Sequence, residues 1–349
     1  MIATSPTPDK ATGHIPLGLR AGEWVVVKSA QEILATLDQN ARLENLPFQP
    51  EMFALCGRRL RVAKVAHKTC DTINKTGGRA MSDAVHLEGA HCDGAFHGGC
   101  QADCVFFWKE MWLRRAEEPS NTEPTVGASS TACSMERVHE RVHAKGAERA
   151  DDPIWVCQTT ALFEATTPLR WWDVRQYVRD VTTGNHTGWH VSKMILFAGY
   201  RKLVETGVGY RLWIFLFNLV QRLRRAQPYP LSHGSIPDGA RTPLEVLDLR
   251  PGEWVRVRSQ QEILATLNES GFNRGMRYDI EMSKYCGERH RVQMRVDRLI
   301  NEQTGKMTQT KNSCIQLEDV YCRSECSRMR LGCPRALNHY WREIWLRRD

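Results

Sequence analysis

The chain has 349 residues, 42% hydrophobic and 25% charged, with 48 basic against 40 acidic side chains and a net charge of +8. That length allows two or three domains of ordinary size, and the composition is that of a soluble globular protein. The basic excess is too mild for a dedicated nucleic-acid binder, so nucleic acid is not expected as a partner.

Met1–Pro6 carries neither the basic start nor the apolar stretch of a secretory signal. The expected compartment is therefore a reducing cytoplasm. There, the 12 cysteines read as metal ligands or catalytic groups before disulfides.

An internal repeat organises the chain. LRAGEWVVVKSAQEILATL from Leu19 returns as LRPGEWVRVRSQQEILATL from Leu249, an offset of 230 residues. The same offset carries Cys56-Gly57 onto Cys286-Gly287 and Cys92 onto Cys322. After a three-residue gain, Cys100 falls on Cys333 and Trp112-Leu113-Arg114-Arg115 on Trp345-Leu346-Arg347-Arg348. In chain order, each copy opens with a turn entering a strand, Gly22–Lys28 in the first. A short helix capped by Ser29 or Ser259 follows. Arg59–Val65 and Arg289–Val296 alternate as strands, and Thr76-Gly77-Gly78 and Thr304-Gly305-Lys306 read as hairpin turns. Val85-His86-Leu87 and Ile315-Gln316-Leu317 begin another strand, and Phe106–Leu113 and Tyr340–Leu346 close each copy as short aromatic strands. The Gly-Glu-Trp-Val-x-Val opening resembles SH3-like barrels. The duplicated pattern, with Cys333-Pro334-Arg335 and Tyr340–Leu346 near its end, resembles uncharacterised bacterial proteins and implies no activity. The expected fold is α+β: two homologous small β-barrel (SH3-like) modules, 15–116 and 245–349, joined by a mainly helical middle segment.

Between the copies, 117–150 reads as a polar linker, 151–227 as the helical segment and 228–244 as a second linker. The linker contains His139-Glu140-Arg141-Val142-His143, the spacing of zinc proteases. Its polar flanks and local duplication make it a coincidence of five residues. Ile154–Cys157 looks like a strand. Thr167-Pro168 reads as a helix start running through Trp171 and Trp172 to Arg179, with one tryptophan packed in the core. Residues 189–225 hold two apolar runs too short to span a bilayer. They are either a buried helix pair or an interfacial element facing an anionic membrane surface.

The cysteines carry the chemistry. Cys56 and Cys92 enclose 35 residues, as do Cys286 and Cys322. Adding Cys100, Cys333 and one further ligand-type residue each gives two candidate sets: Cys56, Cys92, His97 and Cys100, and Cys286, Cys322, Cys326 and Cys333. Both are tetrahedral zinc sets, so two zinc sites are expected, with iron as an alternative metal and Cys104 as an alternative to His97. Disulfides or buried free thiols are the other readings. Closed four-ligand sites are structural. The expected function is a non-catalytic, zinc-stabilised tandem-module binding or scaffold protein with a protein partner, cytoplasmic or peripheral to a membrane. The alternative is a metal-dependent enzyme or biosynthetic accessory factor using a Cys/His site.

Overall fold

The computed structural model describes residues 15–117, 133–144 and 152–349, so parts of the expected linker, 118–132 and 145–151, lie outside the described residues. The chain is mixed α/β, with mostly antiparallel sheets and few helices.

Local sequence accounts for the start of each copy. Glu23-Trp24-Val25-Val26-Val27 is β-branched and aromatic, and Trp24–Val27 is extended. Ser29 then caps the helix Ala30–Leu34, and the Glu32 carboxylate returns to the Ser29 amide at 2.8 Å, a reciprocal capping box. Ser259 and Glu262 repeat the arrangement on helix Gln260–Leu264, also at 2.8 Å. Trp24–Val27 pairs with Arg59–Val65 and with Leu113–Arg115, Trp24 opposite Arg61 and Val27 opposite Leu113. Trp254–Val257 pairs with Arg289–Ile300 and Leu346–Arg348 in the same register, Trp254 opposite Arg291 and Val257 opposite Leu346.

The first sheet has five strands, in the order Trp108–Lys109, Ala84–Leu87, Arg59–Val65, Trp24–Val27 and Leu113–Arg115. The second has four, in the order Met307–Leu317, Arg289–Ile300, Trp254–Val257 and Leu346–Arg348. Neither closes into a barrel among the described residues. The closing aromatic segments are not single strands either: one turn of 3-10 helix interrupts each, at Glu110–Trp112 and Glu343–Trp345. A buried carboxylate explains the turn. Glu110 accepts the Gly18 and Leu19 amides at 2.9 and 3.1 Å, and Glu343 accepts those of Leu247 and Leu249 at 2.7 and 3.2 Å. The turn aims Trp112 and Trp345 inward, where each indole donates to a threonine, Thr36 at 3.1 Å and Thr266 at 2.9 Å. Burying an indole removes about 150–250 Å², worth roughly 4–6 kcal/mol before side-chain entropy is charged against it. These tryptophans therefore anchor the two cores.

The middle segment departs from its sequence reading. Thr167–Leu169 is not a helix start but an outer strand pairing with Gly78–Ala80, an edge position where proline's missing N–H is tolerated. Helix Arg175–Thr182 begins later, and Trp171 and Trp172 are both exposed, meeting edge to face at 5.8 Å. Ile154 and Trp155 form isolated bridges to Lys306 and His143. Helices Gly188–Glu205 and Tyr210–Leu223 contain the two apolar runs. Among the described residues no helix is long and apolar enough to cross a membrane.

The copies and the middle segment interlock. Lys68 donates to Asp180 at 2.6 Å and to the Leu331 carbonyl at 2.9 Å, joining all three in one buried knot. Arg335, 2% exposed, reaches Thr72 of the first copy and Glu302 of its own, both at 2.9 Å. Gln101 accepts the Asp297 and Arg298 amides at 2.8 and 3.0 Å.

Candidate metal centre

The 3-10 helix Pro50–Leu55 and the loop after Cys92 build the site. Gly94 sits at φ +71°, and a Cβ there would lie 2.1 Å from the Cys100 carbonyl oxygen, so only glycine lets the loop fold back this tightly. The fold brings His97 onto Glu51, Nδ1 to Oε1 at 2.6 Å, and turns Nε2 to the Val156 carbonyl at 3.1 Å. His97 is 1% exposed, and Glu51 Oε2 is buried without a partner. Ligand atoms of Glu51, Cys92 and His97 lie within 4.8 Å of one another, the one such group among the described residues. These three form a candidate metal-binding cluster, with one hard oxygen, one borderline nitrogen and one soft sulfur.

Burial pushes the Cys92 thiol well up, and the neighbouring Glu51 carboxylate adds to it. Burial acts to raise Glu51 too, but the hydrogen bond and charge of His97 outweigh it and hold the carboxyl below its ordinary value.

Beside this cluster lies a cavity of about 30 Å³, walled by Cys92, His97, Cys100, Cys104, Cys157 and Glu302. Its lining comes from the first copy, the middle segment and the second copy. A larger cavity of about 380 Å³ adjoins it and shares Cys104, Ile300 and Glu302.

The structure gathers the sequence candidates unevenly. Cys92, His97 and Cys100 reach this cavity. Cys56 instead packs on the apolar core, and burial raises its thiol to about 11. The adjacent Gly57 amide bonds to the Val27 carbonyl at 2.9 Å, not to sulfur. Cys286, its counterpart, lies in the second core 3.5 Å from the Tyr278 hydroxyl, raised likewise to about 11. Cys322 and Cys326 are buried, and burial lifts both to about 12. Cys333 meets Cys70 of the first copy. The Cys70 thiol beside it holds the Cys333 thiol below its ordinary value against the opposing effect of burial, while Cys70 itself is pushed up. The offset of 230 also persists through the loop. Phe96 donates its amide to Glu51, and Cys326 donates its own to Glu281 at 2.6 Å. Cys326 therefore stands opposite Phe96, and Ser327 opposite His97.

Three residues at the cluster and its cavity differ in how far the sequence reveals them. Glu51 was visible as a carboxylate shared with Glu281. Cys104 was visible as an alternative ligand. Cys157 carried no signal, because nothing local ties it to a loop more than 50 residues earlier. The protease-like spacing has no site: helix Met135–Glu140 ends before His143, so His139 and His143 do not share a helical face. His139 stacks near Phe53 and meets Phe96 edge to face, and His143 lies 4.5 Å from the Trp155 ring.

No protein-family model, curated protein or solved structure matches the chain. The geometry alone carries the functional reading.

Proposed function

We propose that this protein is a non-catalytic scaffold whose two copies and middle segment are held as one body by a bound zinc ion. The observation that carries this reading is the Glu51, Cys92 and His97 group, two half-buried residues around a buried imidazole, set beside a cavity walled by all three segments. A soft thiolate and an imidazole suit zinc over the hard cations magnesium and calcium. The Val156 carbonyl on His97 Nε2 and the Glu51 carboxylate on Nδ1 fix the imidazole beside the thiols. Four thiols and the buried His97 around one ion-sized cavity favour a structural ion over one that must exchange substrate. The test is elemental analysis with native mass spectrometry on the full chain purified under reducing conditions. One zinc per folded chain is the expected result; a folded, metal-free chain overturns the reading, and two ions per chain overturn the count.

A second reading concerns attachment. Helix Tyr210–Leu223 buries none of its residues and exposes Leu212, Phe215, Leu216, Leu219, Val220 and Leu223. Arg211, Arg222, Arg224 and Arg225 flank this apolar face. An apolar stripe bordered by arginines matches the headgroup boundary of an anionic bilayer. The protein is expected to float with anionic vesicles at low salt and not with neutral ones. Absence from both vesicle fractions would leave the face to a protein partner.

A further inference from the structure

We propose that Cys92, Cys100, Cys104 and Cys157 form a four-thiolate site for one zinc ion, with His97 as a positioning residue outside the coordination sphere. This rests on the metal reading above and reassigns its ligands: of Glu51, Cys92 and His97, only Cys92 is kept in the coordination sphere. The four sulfurs belong to side chains on the wall of the same 30 Å³ cavity. One water-sized sphere takes about 10–15 Å³, so the space suits a single ion and excludes a larger cofactor.

The backbone is already arranged for thiolates. The Ile300 amide reaches Cys100 from the second copy at 3.3 Å, and Gln49 offers its side-chain N–H to Cys92 at 3.7 Å. Such N–H···S bonds offset the negative charge of metal-bound sulfur and orient it. The Cys92 amide bonds to the Cys104 carbonyl at 2.8 Å, which sets these two ligands side by side.

His97 already makes other bonds. Both of its ring nitrogens face oxygens, Glu51 at 2.6 Å and Val156 at 3.1 Å. Coordination through Nδ1 would displace the ring from a buried carboxylate that has one unpartnered oxygen already. Left in place, His97 ties the loop to Val156 and so holds Cys157 at the cavity.

The second copy serves as an internal control. There the bond matching Cys92 to Cys104 runs from the Cys322 amide to the Leu337 carbonyl at 2.7 Å, so leucine stands where the third sulfur would be. One four-sulfur site is therefore expected, not two.

Binding converts four thiols to thiolates and releases four protons as four zinc–sulfur bonds form. The resulting dianionic centre lies in the field of the buried Arg335 guanidinium, which acts on Cys104. Sulfurs 2.3 Å from zinc lie roughly 3.8 Å from one another in a tetrahedron. The atoms now within 4.8 Å are those of Glu51, Cys92 and His97, so binding must draw Cys100, Cys104 and Cys157 inward.

Zinc-edge X-ray absorption on the full chain, loaded with one equivalent of Zn²⁺ under reducing conditions, tests the assignment. Four sulfurs at about 2.3 Å are expected. A nitrogen or oxygen shell at about 2.0–2.1 Å overturns the four-thiolate assignment while leaving the metal reading intact, and no bound zinc overturns both. Cys104→Ser and Cys157→Ser should each weaken zinc affinity at least tenfold, and Cys56→Ser less than threefold. The reverse pattern refutes the ligand set. His97→Gln should weaken affinity about 10–100-fold, as outer-partner changes do, yet keep the four-sulfur shell. Loss of one shell atom in that variant would make His97 a ligand.

Discussion

Gln158 provides the sharpest test of how the middle segment is fastened. Its side chain, 2% exposed, accepts the Phe107 amide at 2.8 Å and donates to the Pro47 and Phe107 carbonyls at 3.1 and 2.9 Å. Its own amide donates to Gln49 Oε1 at 2.9 Å. Gln158→Ala removes three buried hydrogen bonds at about 1 kcal/mol each, and it leaves the Phe107 N–H without its acceptor. The expected cost is about 3 kcal/mol, which lowers the folded-to-unfolded ratio more than a hundredfold. Gln158→Glu keeps the volume but sets carboxylate oxygens against two carbonyls, so it should be at least as damaging. Urea unfolding at fixed zinc concentration measures both, and zinc titration should show weaker binding because Cys157 is the adjacent residue. A Gln158→Ala change below about 0.5 kcal/mol with unaltered zinc affinity would refute the view that this side chain docks the segment.

Acid should destabilise the chain through His86 and His339. Burial holds both at about 4, against roughly 6.5 when unfolded. Below pH 6.5 the unfolded chain takes up protons that the folded chain refuses, so stability is full above that pH and declines toward pH 4. Each histidine contributes up to roughly 3 kcal/mol of the loss, and a melting temperature that is flat between pH 7 and pH 4.5 would contradict it. Gly94→Ala should abolish zinc binding through its clash with the Cys100 carbonyl. Gly89→Ala, also at positive φ but with nothing within 4 Å of the added carbon, should cost only about 1 kcal/mol and leave zinc affinity unchanged. Phe215→Glu and Leu212→Glu should abolish flotation with anionic vesicles while shifting the melting temperature by less than about 1 °C, because both side chains are exposed. A large stability loss would mean that the helix is packed.

What could be read from sequence was local. The Ser29 and Ser259 capping boxes, the opening strands and the hairpin turns depend on residues within a few positions of one another. The helix expected at Thr167-Pro168 failed because pairing with Gly78–Ala80, far away in sequence, outweighed a local start signal. The site was legible in its loop but not in its closure. Regular spacing singled out Cys56 and Cys286, whose common environment is an apolar core. Cys157 reaches the cavity because its neighbours are fastened, Gln158 against Gln49, Pro47 and Phe107 and Val156 against His97, contacts that no periodicity reveals.

The two loops solve one mechanical problem with different chemistry. In the first copy, a single carboxylate, Glu51, takes the Phe96 amide and the His97 ring, and thiols line the space behind it. In the second, Glu281 takes three successive amides, Glu325, Cys326 and Ser327, at 2.6–3.1 Å. Behind that carboxylate, Arg330 pairs with Asp279, and its charge acts on Cys322. A guanidinium there supplies the positive charge that the proposed zinc supplies in the first copy, without needing four thiolates around it. The same backbone can therefore hold its loop with an ion pair or with a metal. Only the first copy borrows a sulfur from the middle segment, and only there would loss of the ion release one part of the molecule from another.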